Sequence, residues 1–312
     1  MIIIFIAYFL LATAISANKV ILGFLPVSFF VGIRYICAGT IMIVYNYIRS
    51  KKFRFSYFKK DIPKILMVAL FTTTIPTLLK NYGIKHMFSS KAAMIGAIDP
   101  FVTAIYAYIL FSQKLTWKKL LGIFIGFIGI VLIIVAKSPV EEPLKAWLEV
   151  SYPEIALLGA VAIGRYGWIL IRSLLKTEKY KPTEINGLSM LVSGIIAFSF
   201  FLIHYFTGNV APICIPSWTQ FTYLFAYTVI AGNILGYALY AISFKKYQIT
   251  FVSIAGFSIP IFVTLIGWAF LGETITKTFI LASAMIFAGL VIFHYDGLKN
   301  AYRARKNPKT FN

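Results

Sequence analysis

Three charged residues, Lys80, Asp99 and Arg165, stand inside long apolar runs of this chain. A charge taken out of water needs a partner, a counter-ion or a water-filled space, so such residues turn toward a cavity or another helix. Polar neighbours recur around them at helical spacing. Thr73, Thr77 and Lys80 stand at i, i+4 and i+7, and so share one helix face. Asp99, Thr103 and Tyr106 keep the same spacing, and Arg165, Trp168 and Arg172 stand at i, i+3 and i+7. Asn233, Tyr237 and Tyr240 make a further polar stripe. The chemistry on offer is recognition rather than bond making. Two cations against one acid leave positive charge that a carboxylate or phosphate would balance. The competing reading is internal: an Asp99–Arg165 or Asp99–Lys80 ion pair, with threonine hydroxyls as interhelical glue, that only holds the bundle together.

Other chemistries find little support. His86, His204 and His294 fall at predicted helix ends, and Cys37 and Cys214 lack metal or redox spacing. No cofactor or metal is expected. No phosphate-binding loop is present for primary transport, and the acids and histidines are scattered singly rather than clustered as an enzyme would want. A channel would more naturally carry rings of like residues.

The elements that position these residues follow from composition. The chain has 312 residues, is 60% hydrophobic and only 13% charged, with a mean hydropathy of +0.83. Roughly 20 apolar residues span a bilayer. Ten such segments can be marked, at about 2–18, 26–48, 63–85, 89–111, 116–136, 153–175, 185–207, 218–243, 247–271 and 274–294. Backbone groups in lipid must be satisfied internally, so all are predicted to be helices, and the fold class is all-α integral membrane. The first segment lacks a basic n-region, and it is read as the first helix although an A-x-A-like site occurs at Ala12–Ala14.

The net charge of +20 follows topology, not nucleic acid. With the segments alternating across the membrane, 21 of the 30 Lys and Arg fall on one side and six on the other. That bias puts both termini in the cytoplasm. Lys52 and Lys306 are then inside, and Glu142 lies in an external loop.

The chain also matches itself. Lys85, Gly96, Pro100, Thr116, Phe127, Gly129 and Val131 meet Lys245, Gly256, Pro260, Thr276, Phe287, Gly289 and Val291 without a gap. Five segments per half is an odd number, so the two halves are inverted with respect to one another. Inverted repeats in an apolar chain are a mark of transporters, in which equivalent halves rock around a site between them. The Thr73, Thr77 and Lys80 stripe is repeat-equivalent to Asn233, Tyr237 and Tyr240. Pro100 and Pro260 are equivalent too, and with Pro76 they are expected to kink their helices, the first two as hinges. Gly122, Gly126 and Gly129, with Ala284, Ala288 and Gly289, are expected to let helices approach closely. Arg34 is read as a snorkelling or structural residue. Glu273 is read as a cap on the last helix.

The run from Pro100-Phe-Val-Thr through Gln113-Lys-Leu-Thr to Gly122 and Gly129 resembles half of an EamA domain. The run from Ser258-Ile-Pro-Ile through Leu271-Gly-Glu-Thr-Ile-Thr to Gly289 resembles it more closely. Mid-helix Pro, Gly-Glu at the helix end, then Thr and a Gly-rich helix are similar to the drug/metabolite transporter superfamily. Gln113 departs from the Glu often found in the first copy. The resemblance implies ten transmembrane helices as a 5+5 inverted repeat. It divides the chain into residues 1–145, residues 146–297 and a basic cytoplasmic tail at 298–312. It implies a multi-pass protein of the cell inner membrane with a central cavity and alternating access, and a lipid bilayer and a small-molecule substrate as its partners. The expected substrate is a small polar metabolite, amino-acid-like, zwitterionic or anionic. S-adenosylmethionine or a nucleotide-type metabolite is the alternative. Proton coupling or exchange, and monomer or homodimer, stay open.

Overall fold

In a computed structural model the chain is mostly helical. The structure describes residues 2–50, 55–135, 146–147, 150–175, 182–208, 213, 215–247 and 249–299. Lys52, Glu142, Lys306 and the tail beyond residue 299 lie outside the described residues, as do the side chains of Arg172 and Tyr237.

The helices are α1 (Ile2–Leu22), α2 (Val27–Ser50), α3 (Phe55–Val68), α4 (Ile75–His86), α5 (Ser89–Gly96), α6 (Asp99–Phe111) and α7 (Trp117–Val135). They continue with α8 (Tyr152–Leu175), α9 (Pro182–Phe206), α10 (Trp218–Tyr227), α11 (Tyr237–Lys246), α12 (Ile249–Ala255), α13 (Ser258–Leu271) and α14 (Lys277–Phe293). Between α7 and α8 a two-residue antiparallel pair, Ala146–Trp147 with Val150–Ser151, adds a small ribbon to a fold expected to be all-α. Among the described residues eight stretches are long and apolar enough to cross a membrane, and α13 and α14 are shorter apolar helices.

Two expected continuous spans differ in a related way. The segment at 89–111 divides into α5 and α6, and that at 247–271 into α12 and α13. Pro100 and Pro260 do not kink a running helix. Each stands in the first turn of a new one, beginning at Asp99 and Ser258. A first-turn N–H has no intrahelical partner, so proline there costs no hydrogen bond. Proline offers no N–H to the carbonyl four residues back, that of Gly96 or Gly256, so the α-helical ladder is interrupted there, and the Gly256 carbonyl instead accepts from the Ile259 N–H at 3.0 Å in a tighter turn. Pro76 differs: it stands at the start of α4 with helical backbone running unbroken before it.

A second pairing was not legible in the sequence. Between α3 and α4 the chain winds as a π-helix over Ala69–Thr74, and between α10 and α11 over Thr228–Gly236. The two wide turns fall at repeat-equivalent positions. Such turns are rare and concentrate at functional sites.

The long helices pack in pairs, α2 on α9 and α7 on α14. At the second seam a Cβ on Gly122 would lie 2.6 Å from the Gly289 carbonyl oxygen, and one on Gly289 would lie 2.6 Å from that of Gly122. The expected small-residue contact is therefore present. Its α14 side, however, is Ala282, Ile286 and Gly289, whereas Ala284 and Ala288 are exposed.

Candidate functional site

Asp99 and Arg165 meet. Asp99 opens α6, where a carboxylate favours the helix N-terminus. Arg165 projects from α8, and its Nε and Nη2 each donate to a different oxygen of the Asp99 carboxylate. Two parallel N–H···O bonds fix orientation as well as charge. Both side chains keep about 30% of their surface exposed, so the pair faces open space. Tyr106 holds the same two helices together by donating to the Ala162 carbonyl at 3.2 Å. Thr103 instead turns back and donates to the Asp99 carbonyl of its own helix.

Lys80 is exposed although it lies mid-helix in an apolar span. The charges that bear on it are Arg34, from α2, and Arg165, from α8, both positive. It therefore stands between helices rather than toward lipid, and its exposure is to an internal space. Among the described residues nothing hydrogen-bonds or ion-pairs with it. The Arg165 charge also bears on Tyr240, whose ring packs against Tyr8 at 5.9 Å between centroids. Lys80, Asp99, Arg165 and Tyr240 thus gather from four separate stretches of chain.

The remaining expected residues are placed otherwise. Thr77 shares a 2.9 Å hydrogen bond with the Tyr35 hydroxyl of α2. Thr73 is buried in the first π-helix and bonds Thr72 at 3.0 Å. Asn233 is buried in the second and, among the described residues, reaches only the Met190 sulfur, at 4.0 Å. Trp168 is 51% exposed and stacks on no ring among the described residues. Arg34, read as snorkelling or structural, is buried and donates to Asn18 Oδ1 at 2.8 Å, which is the second of those two arrangements. A long side chain in an apolar helix can snorkel or turn inward, and spacing alone does not separate the two.

One end of the molecule is closed by polar contacts where α4 meets α5. Glu273 does not cap α14. Thr276 does, accepting from the Phe279 N–H at 3.1 Å. The buried Glu273 carboxylate caps α5 instead, accepting from the N–H and hydroxyl of Ser89 (2.5 and 2.7 Å) and of Ser90 (3.0 and 2.6 Å). Gly272, at φ +66°, makes the turn that aims it, and a Cβ on Gly267 would lie 2.5 Å from its Oε2. Next to it Lys91 and Glu154 form a buried ion pair at 2.5 Å, and Glu154 also accepts from the Ser151 N–H at 2.7 Å. Lys19 donates to the carbonyls of Lys85 and Met87 at 2.9 and 2.7 Å, and Lys85 donates to that of Leu25 at 2.9 Å. Here α5 packs on α13. Its repeat equivalent, α12, packs on α1, where Tyr8 donates to the Val252 carbonyl at 2.6 Å, and makes no comparable packing on α6 among the described residues.

Two further features are apolar or empty of chemistry. A hollow of about 360 Å³ between Ile2, Phe5, Ile6, Phe9 and Phe262 carries no charged group. Among the described residues no three His, Cys, Asp or Glu are placed to share a metal.

Known proteins resemble this chain along its whole length. A protein of Chlamydia muridarum named as an S-adenosylmethionine/S-adenosylhomocysteine transporter is 24% identical over 96% of this chain and 92% of its own. One of the same name from Chlamydia trachomatis serovar L2 is 24% identical over 96% and 90%. A solved crystal structure superposes with a TM-score of 0.63 over 93% of this chain and 94% of the other, at 16% identity, which speaks to the fold alone. The model of the EamA-like transporter family matches twice, over residues 1–135 and 152–295. Two matches on a chain of apolar helices, with polar residues gathered between them, make this protein a member of the EamA-like transporter family.

Proposed function

We propose that this transporter is a secondary carrier that moves a small polar metabolite, zwitterionic or anionic, across the inner membrane by alternating access. The observation that carries the reading is Lys80, a cation without a partner among the described residues, exposed within a span and flanked by Arg34 and Arg165. A substrate carboxylate or phosphate supplies the missing counter-charge. Asp99, held by Arg165 and partly open to the same space, offers an acceptor for a substrate ammonium. S-adenosylmethionine and S-adenosylhomocysteine, the compounds in the names of the chlamydial relatives, carry both groups, and they are the first candidates.

In this reading the ten spans form a 5+5 inverted repeat, residues 1–145 and 146–297, with both termini cytoplasmic. The breaks before Pro100 and Pro260 and the paired π-helices support it, since each occurs at equivalent places in the two halves. Alternating access is supported by the asymmetry between equivalent ends. The α4–α5 end, external by the charge bias, is locked through Glu273 and Lys91. The α11–α12 end lacks the matching packing. Exchanging the two arrangements would open the site to the other side.

The experiment is uptake by purified protein in proteoliposomes, with labelled S-adenosylmethionine, amino acids and nucleotides. Saturation with concentration supports a carrier, whereas flux that rises linearly without saturation for every solute points to a pore and overturns the reading.

The helix breaks carry a separate expectation. Pro100→Ala or Pro260→Ala returns an N–H to the break, where it can take the carbonyl of Gly96, or compete with the Ile259 N–H for that of Gly256, and join the two half-helices. Expression and melting temperature should stay near parental, and turnover should fall several-fold. Parental turnover in both variants would remove these breaks from the transport cycle.

A further inference from the structure

Arg34 carries a charge whose compensation the bundle does not complete. The residue is 6% exposed, and its Nε has no hydrogen-bond partner among the described residues. Its one side-chain acceptor among the described residues is the neutral Asn18 Oδ1, and its guanidinium otherwise lies over the rings of Phe30 and Tyr35, 4.8 and 5.1 Å from their centroids. An aromatic face attracts a cation but brings no negative charge. A buried arginine in a membrane protein ordinarily finds a carboxylate, and breaking such a pair is strongly unfavourable.

The neighbouring residue shows where the counter-charge would come from. Tyr35 shares its 2.9 Å hydrogen bond with Thr77, so α2 and α4 touch at that level. The two helices run in opposite directions. Arg34 lies one residue from the contact, and Lys80 lies three residues from it on the other helix, both toward the α4–α5 end. The two cations therefore flank one interhelical bridge. Lys80 is open to the internal space, and Arg34 stands behind it, buried. The Arg34 charge bears on Lys80. No acidic side chain among the described residues bonds either one.

We infer that Arg34 and Lys80 form a single anion subsite, separate from the Asp99–Arg165 pair. A carboxylate or phosphate oxygen pairs with the Lys80 ammonium, and the buried Arg34 guanidinium adds a second positive charge from behind. Arg34 is thus a positioning residue: it strengthens the field at Lys80 in a place where low dielectric makes that field count. The inference rests on the proposed substrate path only in taking Lys80 to face it. An anion can bind there whether or not the named metabolites are carried.

The test uses the full-length protein in detergent and two minimal probes, sodium acetate and inorganic phosphate, at constant ionic strength made up with sodium chloride. Melting temperature is followed against probe concentration, because a ligand of the folded state raises it in a saturable manner. The parent should show saturable stabilisation by acetate, by phosphate or by both, and the better probe tells which oxyanion the subsite takes. Lys80→Met should abolish it. Arg34→Gln should raise the apparent Kd at least tenfold, and Arg34→Lys, which restores the charge, should recover most of it. Asn18→Leu removes the neutral partner and leaves the charge, and so it guards against a merely structural effect. It should keep the saturable response even if its melting temperature falls. The subsite is ruled out if neither anion stabilises the parent, or if Lys80→Met and Arg34→Gln respond as the parent does. Loss of anion stabilisation with no change in metabolite uptake would place the subsite off the substrate path while sustaining the subsite itself. Absent uptake with an intact anion response would reject the proposed carrier alone.

Discussion

Glu154→Gln is expected to destabilise the protein by about 3–5 kcal/mol, the cost of stripping a buried ammonium of its carboxylate. Lys91 and Glu154 face each other at 2.5 Å with side chains 5% and 1% exposed, so water cannot replace the lost partner. Lys91→Met should cost a similar amount for the converse reason, and more locally, because Glu154 still accepts from the Ser151 N–H. The double variant Lys91→Met/Glu154→Leu exchanges an ion pair for apolar groups of like volume. It should return to within about 1 kcal/mol of the parent, since buried pairs tend only to break even against such replacements. Thermal unfolding of the purified single and double variants measures this. Single variants as stable as the double would mean that the pair does not hold the α4–α5 end.

Lys80→Met should leave stability unchanged and raise the apparent KM for an anionic or zwitterionic substrate about 10- to 150-fold. That range follows from the roughly 1.5–3 kcal/mol carried by a hydrogen bond to a charged group. The two effects separate because Lys80 bonds nothing among the described residues, so only substrate loses a partner. Arg165→Met should behave differently. Its guanidinium is paired with Asp99, so its loss leaves a carboxylate alone and lowers melting temperature as well as affinity. Asp99→Asn/Arg165→Met should then recover stability without recovering KM. An unchanged KM in a stable Lys80→Met protein would take Lys80 out of the substrate path.

Much of this was legible in the residues, and the gaps have physical causes. The gapless match of Gly96 and Pro100 with Gly256 and Pro260 located both helix breaks. Proline's missing N–H and fixed φ act locally, so sequence carries them. Whether that proline kinks a helix or starts one depends on where the preceding turn ends, which tertiary packing decides. The π-helices left no mark, because one extra residue in a turn changes neither composition nor period enough to see. Asp99 and Arg165 were flagged as charges needing partners, and they found each other. Glu273 was assigned to the nearest helix N-terminus in sequence, but it caps one more than 180 residues away in the chain, by the same preference of carboxylates for helix N-termini. Arg34 was left between snorkelling and a structural role, because burial is a property of the assembled bundle.

Counterflow tests the central claim most directly. Proteoliposomes holding the purified protein are loaded with millimolar S-adenosylhomocysteine and diluted into a trace of labelled S-adenosylmethionine. A carrier whose site turns between the two sides should accumulate label transiently above equilibrium. That overshoot should vanish when the interior is empty and should shrink strongly in Lys80→Met. The same loading with the methyl ester of S-adenosylhomocysteine, which lacks the carboxylate charge, should drive little or none. Equal overshoot with ester and acid would contradict recognition through a carboxylate, and simple equilibration without overshoot for these and the amino-acid and nucleotide substrates would contradict alternating access.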